Sequence, residues 1–196
     1  MKTQQQKLSQ YAKDNHVPVM MEDGLAFLLD QVRQAKVKNF LEIGTAIGKT
    51  AIAVASLDPE IQVVTIERDP KMIEAAKINI AESGLASQIT LIEGDANEVA
   101  LPDFLADCIF IDAAKAQYQR FFAKYSPILS RNGIILSDNM NFHGMVDHPE
   151  RTNNRNTKHL LKKIRMYREF LKSLEDFETT FMDVGDGVAV TRRKKR

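Results

Sequence analysis

Short apolar runs alternate with longer amphipathic segments along most of the chain, as expected of a parallel β-sheet covered by helices. Runs rich in β-branched residues predict five strands, at 39–43, 62–67, 89–93, 106–112 and 133–138. The segments between them predict helices, at 48–56, 70–83 and 117–129. Pro70 suits the first turn of a helix and Gly84 suits a helix end. Repeated strand–helix–strand units imply right-handed crossovers and a mostly parallel sheet.

The chain before the first predicted strand and after the fifth one follows other patterns. Residues 23–32 predict a helix, and we interpret residues 1–35 as a helical segment packed on the core. With 196 residues, we expect one domain that comprises residues 1–196. Residues 157–174 carry an apolar stripe on one side and basic residues on the other, which predicts an amphipathic helix.

The C-terminal end of the chain predicts an antiparallel hairpin. Residues 179–184 and 188–191 are strand-like, and Gly185-Asp186-Gly187 between them is a turn signal. The predicted fold is therefore α/β: a mostly parallel, seven-stranded, Rossmann-like sheet with an antiparallel C-terminal hairpin and helices on both faces.

The single cysteine and the hydropathy of the chain bear on whether the protein is cytoplasmic or associated with a membrane. The only cysteine, Cys108, lies inside a predicted strand, where core packing is a better interpretation than a nucleophile. The N-terminal residues are polar, and no apolar run approaches the roughly 20 residues that cross a bilayer. We therefore expect a cytoplasmic protein with no membrane partner.

Charge is distributed unevenly, although the formal net charge is only +1. Residues 131–196 hold 14 Lys and Arg against 9 Asp and Glu. The excess lies at 151–172, where eight basic residues face Glu169 alone, and in the tail 192–196. Each stretch is either a solvated face or a surface for a polyanionic partner.

Polar side chains end two of the predicted strands. Asp112 follows the apolar run 108–111, and Asp138 with Asn139 follows the run 134–137. Parallel sheets bind ligands at the carboxyl ends of their strands, and carboxylate and amide oxygens suit Mg²⁺ or Mn²⁺. These residues predict a metal site, the alternative being that they only cap helices or make turns.

The turn after the first strand decides between three kinds of nucleotide site. Its glycines, Gly44 and Gly48, are separated by three residues, which does not match the G-x-G-x-x-G dinucleotide fingerprint. A P-loop needs four residues between its glycines, so Gly48-Lys49-Thr50 does not complete one. The third possibility is S-adenosylmethionine, because Glu42 places a carboxylate that suits a cationic sulfonium and ammonium and repels a triphosphate.

Two further strand ends fit S-adenosylmethionine. Glu67 ends the second strand, where an acid accepts hydrogen bonds from ribose hydroxyls; the alternative is a surface salt bridge with Arg68 or Lys71. Asp95 and Ala96 end the third strand, where a short polar step can receive the adenine edge.

Five motifs in this order resemble those of the metal-dependent O-methyltransferases, a family that includes the catechol and caffeoyl-CoA enzymes. They are Glu42-Ile43-Gly44-Thr45-Ala46-Ile47-Gly48, Thr65-Ile66-Glu67, Gly94-Asp95-Ala96, Ile111-Asp112-Ala113-Ala114-Lys115 and Ser137-Asp138-Asn139. Within the family, the segments at 112–118, 138–139 and 184–189 are most similar to bacterial tRNA 5-hydroxyuridine methyltransferases.

The resemblance implies a class I methyltransferase fold, a homodimer and a set of site residues. Implied cofactor contacts are Met20, Glu42, Gly44, Thr50, Glu67, Asp95, Ala96 and Asp112. Implied metal ligands are Asp112, Asp138 and Asn139. Phe121-Phe122 is a candidate dimer contact, although core packing is the simpler interpretation of both residues.

Methyl transfer to oxygen needs an activated hydroxyl, which a divalent cation and a general base provide. Lys115 lies three residues after Asp112 and can reach the same oxygen. A nearby divalent cation lowers the pKa of an ammonium, which makes Lys115 the candidate base. The alternative is an exposed lysine at the start of a helix.

The acceptor is either a nucleic acid or a small phenol. Phe142 and His143 can stack on either one, or simply pack within the loop. The basic stretches favour an RNA partner because Lys and Arg follow phosphates. We expect 5-hydroxyuridine in the tRNA anticodon loop, methylated to 5-methoxyuridine, since loop bases splay outward. The alternative acceptor is a catechol-like or caffeoyl-CoA-like phenol.

Overall fold

A seven-stranded sheet in the order β3-β2-β1-β4-β5-β7-β6 forms the centre of the computed structural model, which describes residues 3–195. The strands are β1 Asn39–Ile43, β2 Gln62–Glu67, β3 Ile89–Glu93, β4 Ala106–Ile111, β5 Leu129–Ser137, β6 Phe177–Met182 and β7 Val188–Arg193. The first five are parallel neighbours, and β7 runs antiparallel between β5 and β6. The predicted sheet and its C-terminal hairpin are confirmed.

Six α-helices surround the sheet. They are α1 Gln4–Asp14, α2 Glu22–Gln34, α3 Lys49–Ala55, α4 Pro70–Ser83, α5 Tyr118–Tyr125 and α6 Arg155–Ser173. Helix α4 has the predicted bounds. The Asp69 carboxylate accepts the N–H groups of Lys71 and Met72 at its start, and Gly84 ends it in a left-handed conformation. No helix within residues 3–195 is long and apolar enough to span a bilayer.

Alternating side chains of the central strands serve two separate cores. In β4, Cys108 and Phe110 pack in the core that α1 to α4 cover, whereas Ile109 and Ile111 pack in the core that α5 and α6 cover. Helices therefore lie on both faces of the sheet, as predicted. Burial in this core raises the pKa of the Cys108 thiol, which agrees with a packing role.

The two phenylalanines considered as a dimer contact, Phe121 and Phe122, are 4% and 3% exposed in the core under α5. Core packing is thus the correct interpretation of this pair. The homodimer itself stays a prediction.

Several element bounds differ from the predicted ones for local reasons. The predicted helix 117–129 is a shorter helix, α5, between two 3₁₀ turns, Lys115–Gln117 and Ser126–Ile128. Pro127 lies in the second turn, and proline lacks the N–H that a continuing helix needs. Strand β6 ends at Met182 and not at Val184, because the Val184 carbonyl accepts the Gly187 N–H within the hairpin turn.

The register brings three chain segments to one edge of the sheet. Ile43 pairs with Ile111, which in turn pairs with Ser137, so β1, β4 and β5 end side by side. The backbone N–H groups of the next residues continue the ladder, from Asp112 to the Ile43 carbonyl and from Asp138 to the Ile111 carbonyl. The predicted cofactor turn and the predicted metal ligands therefore meet at this edge.

Candidate active site

A cavity of about 490 Å³ opens at the carboxyl ends of β1 to β4. Its lining includes seven of the eight predicted cofactor residues: Met20, Gly44, Thr50, Glu67, Asp95, Ala96 and Asp112. Lys115 and Asn139 line it as well, so the predicted methyl-donor and acceptor sites share one cavity. Glu42 and Asp138 do not line it, because they are buried beside it at 1% and 3% exposure.

Gly44 brings the cofactor turn directly against the strand that carries Asp112. Its φ of +102° favours glycine, and a Cβ atom there would lie 2.2 Å from the carbonyl oxygen of Asp112. No side chain fits this approach, which explains why a glycine follows β1.

Glu67 is oriented by backbone hydrogen bonds. One carboxylate oxygen accepts the Ala46 N–H at 2.9 Å, and the other accepts the N–H groups of Arg68 and Asp69. The alternative of a salt bridge is wrong, because the Arg68 guanidinium pairs instead with Asp95 at 3.0 Å and Lys71 makes no ion pair with Glu67 in the described part of the chain. A carboxylate has about four lone-pair sites, so Glu67 can still accept a hydrogen bond from a hydroxyl group.

Asp95 is held ionised just beyond the end of the neighbouring strand β3. Its Oδ1 accepts the Asn97 backbone N–H at 2.8 Å, and its Oδ2 accepts from Arg68. The backbone hydrogen bond, followed by the Arg68 side chain, holds the pKa of Asp95 below its ordinary value. A carboxylate with this charge can accept hydrogen bonds from an amino group.

Glu42 lies beneath the cofactor turn, out of reach of water. Its Oε2 accepts the Thr65 hydroxyl at 2.6 Å. Burial, together with the nearby carboxylates of Asp112 and Glu67, raises the pKa of Glu42 to about 8 against the opposing effect of the Thr65 hydrogen bond. With no cation in the cavity, this carboxyl group is therefore mostly protonated at neutral pH.

Glu42 should make the cofactor-free protein less stable as pH rises. The group binds its proton more tightly when folded (pKa about 8) than when unfolded (4.5), so unfolding releases a proton between these values. The stabilisation is complete below the unfolded pKa and is lost through the folded pKa. We expect the free energy of unfolding to fall by up to about 1.4 kcal/mol per pH unit from this group alone. Urea denaturation of wild type and Glu42→Gln at pH 5.5, 6.5 and 7.5 measures this slope, and equal slopes in both proteins would contradict it.

The predicted metal ligands converge. Asn139 Nδ2 lies 2.6 Å from Asp138 Oδ2 and 3.4 Å from Asp112 Oδ1, and Lys115 Nζ lies 3.3 Å from the same Asp112 oxygen. Neither aspartate side chain caps a helix among residues 3–195, so the capping alternative does not account for them. The two carboxylates, the amide and the ammonium form one polar cluster at the cavity wall.

The cluster fits a divalent cation. Asp138 Oδ1 is buried and has no hydrogen-bond partner among the described residues. Burial, and then the Asp112 carboxylate, raise the pKa of Asp138. A cation would relieve both conditions. Residues 3–195 hold no cluster of three His, Cys, Asp or Glu ligands. The Asn139 amide, which lies beside both carboxylates, is therefore the candidate for a third side-chain oxygen. Two carboxylates and an amide carbonyl suit Mg²⁺ or Mn²⁺.

One buried cation of the cavity wall was missed at the sequence level. Lys49 has a side chain only 3% exposed and pairs with Glu22 Oε1 at 2.6 Å, which ties α3 to the start of α2. The segment before α2, including Val17 and Met20, lines the cavity. Lys49 was considered only as part of a P-loop, and its partner 27 residues away gives no local signal.

Basic residues of α6 flank the loop that follows Asn139. Leu161 and Ile164 of α6 pack against Val146 and Phe142 of this loop. Exposed residues of the same part of α6 make no ion pair among the described residues: Arg155, Lys158 and Lys162. Other cations of the predicted basic stretch are engaged, as in the Arg168–Asp147 pair. The uncompensated charge thus lies on the part of α6 that packs against this loop, whereas Arg196 of the basic tail lies outside the described residues.

Comparison with known proteins gives a family model and full-length structural likeness. The family model described as O-methyltransferase matches residues 2–194. A catechol O-methyltransferase of Niastella koreensis is 39% identical over 61% of this chain, and caffeoyl-CoA O-methyltransferase 1 of Arabidopsis thaliana is 28% identical over 85%. These matches span 56% and 68% of the two relatives, and an Aspergillus flavus O-methyltransferase is matched over half its length.

Two solved structures support the same likeness. A Staphylococcus aureus protein, assigned provisionally as a caffeoyl-CoA O-methyltransferase, is 37% identical with a TM-score of 0.94, over 98% of this chain and 93% of that one. The methyltransferase PaMTH1 of Podospora anserina, solved with S-adenosylhomocysteine (SAH), is 28% identical with a TM-score of 0.78, over 89% and 80% of the two chains.

Proposed function

Since this chain belongs to the O-methyltransferase family, we propose that it transfers a methyl group from S-adenosylmethionine to a hydroxyl of a catechol-like or caffeoyl-CoA-like phenol, with Mg²⁺ or Mn²⁺. The observation that carries the proposal is the convergence of Asp112, Asp138, Asn139 and Lys115 at the wall of the cavity. The named relatives, catechol and caffeoyl-CoA O-methyltransferases, support the choice of acceptor.

Different residues of the cavity would bind different parts of the cofactor. Glu67 would accept the ribose hydroxyls, Asp95 and Ala96 the adenine edge, and Glu42 would offset the positive methionine end from beneath Gly44. Met20 and Thr50, which line the cavity, would complete the wall around the methionine end. S-adenosylmethionine would supply an electrophilic methyl group on its sulfonium, and the cavity residues would bind the cofactor in the same cavity that Asp112 lines.

The polar cluster handles the acceptor. Asp112, Asp138 and Asn139 would hold the cation, which lowers the pKa of the acceptor hydroxyl and fixes its oxygen. Lys115, on the 3₁₀ turn after β4, would accept the proton of that hydroxyl in its neutral amine form, which a nearby divalent cation favours. Alignment of the two reacting atoms is the larger contribution, because a near-attack geometry can supply roughly 7–11 kcal/mol of the barrier.

A second candidate acceptor is 5-hydroxyuridine in the tRNA anticodon loop. The observation that favours it is the exposed, unpaired group Arg155, Lys158 and Lys162 beside the loop that follows Asn139. A catechol carries no phosphate that these cations could bind, whereas the phosphates of RNA would pair with them. The phosphates of a coenzyme A thioester would also use them. Both kinds of acceptor present two neighbouring oxygens to a cation, so the cluster suits either.

The double variant Lys158→Glu/Lys162→Glu should separate the acceptors. We expect methylation of hypomodified tRNA to fall at least about tenfold, since each lost phosphate contact weakens binding, while catechol methylation is unchanged. The measurement is mass spectrometry of digested tRNA for 5-methoxyuridine, beside chromatography of methylated catechol and caffeoyl-CoA.

The control, Lys7→Glu/Lys13→Glu, makes the same change of net charge on exposed positions of α1. A loss confined to caffeoyl-CoA would assign the basic face to coenzyme A phosphates. Wild-type protein that methylates catechol and leaves tRNA unmodified would remove the second candidate. No transfer to any of the three acceptors would refute the proposed function.

A further inference from the structure

The loop 139–143, which begins in the polar cluster, adopts a backbone conformation that contacts with other parts of the chain must stabilise. Asn139, Phe142 and His143 have φ values of +64°, +43° and +56°, a region that L-residues rarely adopt. Asn139 is itself a proposed ligand. Whatever holds this loop therefore sets the position of a ligand atom.

The support comes from two residues of the hairpin turn between β6 and β7. The Asp186 carboxylate accepts the His143 backbone N–H. The backbone carbonyl of Asp186 accepts the Asn141 N–H at 2.8 Å. The adjacent Gly187 carbonyl accepts the Met140 N–H, also at 2.8 Å. Three N–H groups of the loop thus end on two consecutive residues.

Asp186 is built into this position. It is only 7% exposed, although it is charged and lies in a turn. The His143 ring lies on the same carboxylate oxygen, with Nδ1 at 3.6 Å. Asp186 does not line the cofactor cavity. No step of the proposed methyl transfer uses the charge of Asp186 directly. The burial of this charged side chain therefore indicates a role outside the transfer step itself.

The turn is fixed from both sides. A Cβ atom on Gly187, which has a φ of +83°, would lie 2.6 Å from Asn141 Cγ, so the turn packs tightly on the loop. On its other side, the Gly185 N–H donates to Asp23 Oδ2 at the start of α2. The loop is therefore braced through the turn against α2.

We infer that Asp186 is a positioning residue, which holds the loop 139–143 so that Asp138 and Asn139 present their oxygens to one cation. The inference rests on the proposed function, because it assumes that these residues bind a metal. Side chains that orient metal ligands typically change metal affinity by 10- to 100-fold when they are removed.

The test is Mn²⁺ binding, followed by the electron paramagnetic resonance signal of free Mn²⁺, with neither cofactor nor acceptor present. We expect Asp186→Ala to weaken Mn²⁺ binding at least about tenfold. Asp186→Asn should retain most of the affinity, because its amide oxygen can still accept the His143 N–H. S-adenosylmethionine affinity, measured by calorimetry, should stay within about twofold, since Asp186 does not line that cavity.

Thr191→Val is the matched control, because Thr191 is equally buried in β7 but pairs with Thr179, away from the loop. Equal Mn²⁺ affinity in wild type and Asp186→Ala would overturn the inference alone, as would an equal loss in Thr191→Val. If Asp186→Ala does not fold, Gly187→Ala displaces Asn141 without removing any hydrogen-bonding group, and its unchanged affinity would overturn the inference. Wild-type protein that binds no Mn²⁺ would overturn both the proposed metal and this role.

Discussion

Asp138→Ala should reduce methyl transfer on the order of 10³-fold or more, while S-adenosylmethionine affinity stays close to that of wild type. The variant removes one of two carboxylates from the cation site and does not alter the cavity lining, which Asp138 does not reach. Initial rates are measured at saturating cofactor over about 5 to 10 concentrations of Mg²⁺. Their ratio to the wild-type rates gives the loss. Calorimetry measures cofactor affinity on the same samples.

Instability of the variant is not the expected cause of this loss. Asp138 is buried, and one of its oxygens has no partner among the described residues, so the metal-free protein bears a desolvation cost at this position. We expect Asp138→Ala to unfold at the same temperature as metal-free wild type or higher. A variant that keeps full activity would rule out the proposed metal chemistry, and a variant that loses cofactor affinity in parallel would place Asp138 in the wrong site.

Lys115→Met should lower kcat for a catechol by about 10²- to 10⁴-fold, the range that a general base contributes. The ammonium lies 3.3 Å from Asp112 Oδ1 and 5.7 Å from the centre of the Tyr118 ring, so it is held at the cluster and not spread over the surface. Its side chain is 18% exposed. A pH–rate profile of kcat should lose one limb in the variant.

The matched variant is Lys115→Arg, which keeps a cation near Asp112 but cannot accept a proton at neutral pH. We expect it to be as impaired as Lys115→Met. Recovery of activity in Lys115→Arg would show that the positive charge matters and that the base is another group. For 5-hydroxyuridine the loss should be smaller, because that hydroxyl is more acidic from the start.

Most of the sheet could be predicted because its central strands, such as β1 and β4, are buried on both faces. Continuous apolar runs gave the bounds of β1, β2 and β3 without error. Helix α1 was included only in a general helical segment, since it is polar and buries just Leu8 and Ala12. A local signal existed, because Thr3 and Gln6 form a capping box at its start.

The site was predictable where chemistry and strand ends coincide, as at Asp112, Asp138 and Asn139. The structure brings these residues together, although their roles stay predictions. The supporting contacts were not predictable, because they join distant segments. Asp186 was interpreted only as part of a turn, 43 residues after its partner His143. Lys49 was weighed only as a phosphate ligand, and its ion pair with Glu22 crosses from α3 to α2.

The absence of a side chain at Gly44 limits how the enzyme can be redesigned. Its α-carbon packs on the Asp112 backbone, so the spacing between the glycine turn and the polar cluster is set by two neighbouring strands, β1 and β4. We therefore expect an exchange of the loop after Met140 to change acceptor preference, whereas an exchange of the glycine turn would also displace the strand that carries Asp112. Chimaeras with other family members should keep β1 and β4 from the same parent.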